Sequence, residues 1–487
     1  MKKFLPIFLV LCGCRVGPDY SRPSAPAPPA FKEQPPETFK EWKQAHPSDD
    51  VIRGKWWELY NDPALNALEE LVAISNQNVL AAEAQFRQAR AAIRVARSAL
   101  FPTLTTAPSI SAAKGSGNLG NGQVSGVSTV SGGGIRTDYF LPFDLSWTAD
   151  IWGSIRRSVS ASIATAQASA AQLENARLSY QTQLAEDYFA MHGLDAEEKL
   201  LTNTVASYRE FLELTQYRYQ SGVASDADVA QARTQVDSAR ASLIDVGVAR
   251  AQYEHAIAIL TGKAPAEYAA PATPLTSPPP PIPIALPSEL LERRPDIASA
   301  ERQMAAENEQ IGIAKAAYFP TISLSASAGL ESSSLLTLLN WPSRFWSLGS
   351  AAADTLLDFG KRRGQLQEAQ AGYDATVANY RQTVLTAFQG VEDNLSSLRI
   401  LEQESAVVED TIKDAQDSLR ITTDQYKSGI ATYLQVLTAQ AALLSAQSNA
   451  VSILSRRMTA SVLLIEALGG GWNQSQLPSG TTLTSAK

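Results

Sequence analysis

The 487-residue chain is predicted to be a mainly α protein with a small β part, and three observations carry that prediction. Two long windows, between Pro142 and Pro265 and between Pro342 and Pro478, contain no proline and are dominated by Ala, Gln, Leu, Glu and Arg, which are strong helix formers. Short stretches next to these windows alternate apolar and small polar side chains with period two. The chain also repeats itself. Tyr318-Phe319-Pro320-Thr321 echoes Leu100-Phe101-Pro102-Thr103, Asp358-Phe359-Gly360 echoes Ile151-Trp152-Gly153, and Gln425-Tyr426-Lys427-Ser428-Gly429 echoes Arg218-Tyr219-Gln220-Ser221-Gly222. The offsets are 319 − 101 = 218 residues for the first pair and 359 − 152 = 426 − 219 = 207 for the other two. A period this long lies outside the 20–50-residue range of solenoids, so the repeat is a duplicated half-protein.

Residues 1–13 read as a secretory signal: Met1-Lys2-Lys3, an apolar run from Phe4 to Leu11, then small residues. Leu11-Cys12-Gly13-Cys14 resembles a bacterial lipobox, in which the thiol of Cys14 takes a diacylglycerol and the chain meets outer-membrane lipid. The same run also fits a plain signal peptide with incidental cysteines. Arg15 at the next position implies sorting to the outer membrane. One lipid holds a protein to a bilayer only marginally, so a second anchor is expected.

Residues 14–50 are rich in proline and charge and are expected to run extended over the body. The first repeat occupies residues 51–264, a second proline-rich linker 265–287, the second repeat 288–470 and a tail 471–487. Within the repeats the proline-free windows predict long helices from Ser154 to Gln220 and from Lys361 to Lys427, each about 100 Å long at 1.5 Å per residue. Tyr373, Val377, Tyr380, Val384, Ala387, Val391 and Leu398 recur at a 3.5-residue period, which is coiled-coil patterning. Each long helix stops at a small turn, Ser221-Gly222-Val223-Ala224-Ser225 or Ser428-Gly429-Ile430-Ala431-Thr432, and a second helix returns from Asp226 to Leu260 or from Tyr433 to Leu468. Shorter helices are expected over Pro63 to Leu100 and Ser288 to Tyr318. Two half-length helices end to end would match one long one, giving a cylinder of paired helices.

The strands are Thr321 to Ala328 and Phe143 to Thr148, with partners beginning at Leu104 and lying within Trp346 to Leu357. Their alternation fits a transmembrane barrel and, equally, an antiparallel sheet on a soluble core. Four strands cannot close a barrel, since about eight are the minimum, so spanning strands require several copies to pool them.

Bulk properties exclude other classes. A mean hydropathy of −0.12 excludes a polytopic helical membrane protein. A formal charge of −8 with no basic cluster argues against a nucleic-acid partner. His46, His192 and His255 are scattered, and Cys12 and Cys14 are the only cysteines, so neither a metal site nor a disulfide framework nor any cofactor is expected. Gly115-Ser116-Gly117-Asn118-Leu119-Gly120 fits a dinucleotide pattern but has no helix after it, and reads as an external loop. Ser111 and Lys114 have S-x-x-K spacing without any further active-site motif. Arg293-Arg294-Pro295-Asp296 reads as helix-start chemistry rather than as a catalytic pair.

Cys14-Arg15-Val16-Gly17-Pro18-Asp19-Tyr20, Trp56-Trp57 with Asp62-Pro63-Ala64-Leu65, and Leu286-Pro287-Ser288-Glu289-Leu290-Leu291-Glu292-Arg293-Arg294-Pro295-Asp296 resemble the TolC-like outer-membrane efflux proteins, in the lipoprotein subgroup that serves tripartite resistance-nodulation-division pumps. The resemblance covers essentially the whole mature chain. It implies a homotrimer whose subunits each give four strands to one twelve-stranded barrel above a helical tunnel. It also implies a periplasmic adaptor and an inner-membrane transporter as partners, and a passive exit duct rather than an enzyme. An envelope-spanning scaffold lipoprotein is the competing reading.

In that family a tyrosine and an aspartate at the tunnel tip link neighbouring subunits and hold it shut. They match Tyr426 and Asp228. The family archetype's tip arginine falls on Ala431 and two of its aspartates on Gln435 and Thr438, so those groups are missing here. Ser221, Gly222, Asp226, Ser428, Gly429, Gln435 and Thr438 complete the tip turns where adaptor contact is expected. For Asp226 the alternative is a first-turn charge or cap.

Overall fold

The computed structural model describes residues 15–25, 27–33, 36, 54–114, 123–124, 127–128, 135–282 and 290–485. Cys14, the signal, the Gly115–Gly120 motif and Leu286 to Glu289 lie outside them. Two helices of 67 residues each, α3 (Ser154–Gln220) and α7 (Lys361–Lys427), run the length of the body. Each is preceded by a glycine with positive φ, Gly153 at 80° and Gly360 at 94°, and by an aspartate that caps the new helix. Asp150 accepts from the backbone N–H groups of Ile155 and Arg156, and Asp358 from those of Gly360 and Arg362. The duplication is therefore visible in the joints as well as in the rods.

The returning helices are α4 (Asp226–Leu260) and α8 (Tyr433–Ala467). Expected as one piece, the short helix of the first repeat is two, α1 (Pro63–Ser75) and α2 (Gln77–Ser98). Asn76 divides them because its side chain accepts from the N–H groups of Asn78 and Val79 and donates to the Leu260 carbonyl, local bonds that outcompete a continuous helix. In the second repeat α5 (Leu290–Arg293) and α6 (Pro295–Ala316) are parted at Arg294, the N-cap before Pro295. Arg294 grips Asp296 with two nitrogens and donates to the Ala467 carbonyl, the helix-start role expected of this motif.

Around α3 pack α2, α6, α4 and α8, and α7 packs on α6 and α8. The upper half of α3 buries Ala161, Ala164, Ala166, Ala168, Ala170 and Ala171, small side chains that let neighbouring helices approach closely. The main core sits lower, where Trp56, Leu65, Val72, Leu184, Met191, Ile297, Met304 and Val462 meet Tyr380, Val384, Ala387, Val391, Leu395 and Leu398 of the coiled-coil stripe. Leu395 fills the seven-residue step in that stripe.

Proline-rich though it is, the amino-terminal segment is fastened to the body. Fully buried Arg157 donates to the carbonyls of Val16 and Pro18 and pairs with Glu309 at 2.8 Å, while Arg15 reaches the other Glu309 oxygen at 2.6 Å. Tyr20 donates to Glu301, and Glu392 accepts from the backbone N–H groups of Lys32 and Glu33. The linker is pinned likewise, Thr273 donating its N–H to Asp195 and Arg250 donating to the Ala270 carbonyl. What reads as a tail also docks: α9 (Gly480–Ser485) buries Leu483 against Ile93 and Ala166.

At one end stands an antiparallel sheet of β1 (Thr103–Thr105) and β2 (Ser109–Ala113), both paired to β5 (Arg136–Ala149), then β6 (Thr321–Ser332) and β7 (Arg344–Ala353). β1 and β2 are one strand interrupted at Thr106 to Pro108, so the sheet has four positions. A two-residue ribbon, β3 (Gln123–Val124) with β4 (Val127–Ser128), lies apart.

Candidate functional site

Pairing fixes which side chains share each face of the sheet. Leu104, Leu145, Ala326 and Leu348 form one row across it, with Phe143, Ala328 and Trp346 beside them. The neighbouring row on the opposite face is Thr103, Ser146, Ser325 and Gly349, followed by Thr105, Asp144, Ser327 and Ser347. The apolar face is open: Leu104, Phe143, Leu145, Leu324, Trp346 and Leu348 are all exposed, and among the described residues no other element covers them. A sheet with one exposed greasy face and one exposed hydroxyl-lined face suits a boundary between lipid and a wet lumen. Its two edges, β7 and the broken β1/β2 strand, have no further partner among the described residues and are ready to take another strand. Among the described residues no helix is long and apolar enough to cross a membrane.

At the far end both repeats close with the same turn. Gly222 and Gly429 have φ of 75° and 78°, and the N–H groups of Val223 and Ala224 return to the Arg218 carbonyl as those of Ile430 and Ala431 return to Gln425. The Ser221 and Ser428 hydroxyls donate to the Tyr217 and Asp424 carbonyls. Both following helices start with a reciprocal capping box, Ser225 with Asp228 and Thr432 with Gln435. Ser225, not Asp226, is thus the cap of α4. Asp226 is the first helical residue, an exposed first-turn acid. Thr438 is spent on its own helix, donating to the Leu434 carbonyl.

The two expected gate residues sit differently. Asp228 is half-buried, with Oδ2 accepting from the Ser225 N–H and hydroxyl. Tyr426 is buried in its own subunit, against Tyr433, Val436 and Ala232, with its hydroxyl 3.4 Å from that of Thr215. Arg218 lies over the Tyr426 ring, 4.5 Å from its centroid, and donates to the carbonyls of Tyr426 and Lys427. Burial, with smaller contributions from Tyr426, Tyr208 and Asp228, pushes the Tyr433 hydroxyl up to about 12, so it stays a neutral donor. Sequence reading missed Arg218, Thr215 and Tyr433. Only the echo of Arg218 by Gln425 in the repeat signals that this position differs between halves.

The comparisons agree on one family. The profile of the outer membrane efflux protein family matches residues 68–263 and 286–470. The toluene efflux pump outer membrane protein TtgI of Pseudomonas putida is 31% identical over 97% of this chain and 99% of its own. The outer membrane protein OprJ of Pseudomonas aeruginosa is 29% identical over 96% and 95%. Among solved structures, the outer-membrane channel OprN superposes with a TM-score of 0.84 at 29% identity over 94% of this chain and all of that one. VceC of Vibrio cholerae gives 0.78 at 29% over 86% and 99%.

Proposed function

The chain belongs to the outer membrane efflux protein family, and from that membership we propose that it is the exit duct of a tripartite efflux pump, passively conducting small toxic molecules through the outer membrane. The observation that carries this reading is the open four-position sheet, apolar on one exposed face and hydroxyl-lined on the other, standing on paired 67-residue helices. Among the described residues both edges are free, and a closed barrel needs more strands than the four positions found there. Three copies pooling twelve strands satisfy the strand count and the resemblance together. Relatives are named for export of toluene, solvents and antibiotics, so apolar organic compounds are the proposed cargo. A periplasmic adaptor would grip the tip turns at Ser221 to Asp226 and Ser428 to Thr438, and a resistance-nodulation-division transporter would supply the energy. Cys14 would carry the lipid.

Asp228 and Tyr426 are the proposed gate, acting between neighbouring subunits, with no catalytic residue involved. Purified full-length protein in planar bilayers tests the duct: stepwise single-channel conductance is expected, whereas a scaffold lipoprotein would leave the bilayer silent.

A further inference from the structure

We propose that the loop joining β6 to β7 is a binding site for a phosphate-bearing lipid of the outer leaflet, with Arg344 taking the phosphate and the loop leucines taking the acyl chains. The proposal rests on the reading that the sheet spans the outer membrane. The loop lies at the end of the sheet away from the helices. Its leucines are turned outward: Leu336 is 92% exposed, Leu339 78% and Leu335 62%, a concentration of bare apolar surface that a water-facing turn does not carry. Nor is the loop a loose end. The Ser332 and Thr337 hydroxyls are 2.7 Å apart, Ser343 donates to the Thr337 carbonyl, and the N–H groups of Thr337, Leu338 and Asn340 bond three residues back. An internally bonded turn presents these leucines in fixed positions.

Arg344 stands where such a lipid would need it. It pairs with Leu330 across the sheet and falls on the apolar face, in line with Trp346 and Leu348. A cation at the end of a lipid-facing stripe has no business in hydrocarbon unless the headgroup begins there. The depth agrees. Ten residues separate this end of β7 from Ala353 inclusive, about 33 Å of strand and, at the usual tilt, about 25 Å of height, the span of a barrel's apolar band. Phe319 and the 93%-exposed Phe359 mark the other border, and Trp341 and Trp346 mark this one.

The Arg344 guanidinium is stacked 3.7 Å over the Trp341 ring, and among the described residues no carboxylate lies within ion-pair reach of it. Stacking on the indole holds the guanidinium plane and leaves its edge donors for a planar or tetrahedral oxyanion, the geometry at which arginine binds phosphate. The exposed Leu335, Leu336 and Leu339 side chains of the loop that leads into Arg344 supply the hydrocarbon contact that a soluble phosphate would not use.

Trimers of the full-length protein are offered equal amounts of bisphosphorylated lipid A and its dephosphorylated counterpart, and retained lipid is counted by native mass spectrometry. Wild type should retain the phosphorylated form in about fivefold excess, the ratio of one charge-assisted contact at a half-wet surface. Arg344→Gln should abolish the excess, Arg344→Lys should keep part of it, and Leu336→Asn with Leu339→Asn should lower retention of both lipids. Equal retention by wild type, or an excess unchanged in Arg344→Gln, would overturn the site. Trimers that fall apart in these variants with lipid counts unaltered would make the loop a subunit contact instead, which also sinks it. Bilayer conductance of the same wild-type sample separates this failure from failure of the duct itself: a conducting protein without lipid preference loses only the site.

Discussion

Arg218 of the first repeat holds Tyr426 of the second, donating to its carbonyl at 2.8 Å while stacking 4.5 Å over its ring. The last turns of the two long helices are thereby clamped together inside one subunit. Arg218→Ala should cost about 2 kcal/mol of local stability, from two charge-assisted bonds and a cation–π contact. Hydrogen exchange over residues 425–433 should quicken and channel conductance should rise. Unaltered exchange there would show that the clamp contributes nothing.

Asp228 completes the α4 capping box and is also the proposed gate carboxylate, two roles that variants can separate. Asp228→Ala with Tyr426→Phe is expected to raise single-channel conductance by releasing the proposed link between subunits. Ser225→Ala removes the cap, at about 1 kcal/mol, and spares the Asp228 carboxylate. If Ser225→Ala opens the channel as much as the double variant does, helix fraying rather than the carboxylate sets the gate.

Arg157 is the post to which the amino-terminal strap is tied. Arg157→Ala leaves Glu309 without its buried partner and should destabilise the subunit by about 3–5 kcal/mol. Gly312→Ala is a second probe that keeps the Arg157 charge, because a β-carbon there would collide with the Arg157 side chain and displace it. Limited proteolysis near Tyr20 should accelerate in both variants, and an unchanged digestion pattern would count against the strap.

Burial, then the charges of Glu466 and Asp187, pushes Glu186 up to about 7, and burial pushes Asp187 up to about 6 despite a hydrogen bond from Gln183. Between the ordinary carboxylate range and these values the folded state binds more protons than the unfolded one. Stability from this pair is therefore present at acid pH and is lost as pH rises through 6 to 7. Thermal melts should show a lower Tm at pH 8 than at pH 5.5, and Glu186→Gln should raise the pH 8 value by roughly 2–4 °C. A Tm that climbs between pH 5.5 and 8 would contradict the assignment.

The bounds of α3, α7 and α4 were readable because each is a proline-free run closed by Gly222, Gly429 or Gly262 and opened by Ser225 or a capped glycine turn, signals local to the chain. The break at Asn76 was not, since it depends on a carbonyl supplied from elsewhere, that of Leu260, whereas Pro295 marks the helix start after Arg294 in the sequence itself. Strand identity was legible in the alternation from Thr321 to Ala328, whereas the choice between lipid and a protein core required seeing that Leu104, Leu145 and Leu348 stand exposed. At the tip the turns were legible and the clamp was not, because Arg218 and Tyr426 lie 208 residues apart.

The strap also fixes a height. Val16 donates its N–H to the Trp152 carbonyl at 3.2 Å, and Trp152 stacks on Phe319 and donates to the Pro320 carbonyl, where strands give way to helices. Arg15 is pinned at this level, and the next residue toward the amino terminus is a single peptide length, about 3.8 Å, away. The lipid proposed for Cys14 would therefore be tethered to a point held at the height where strands meet helices. Such a lipid is a depth gauge rather than a leash: it would set how far the duct rides in the membrane, and so how far its tip reaches toward the pump.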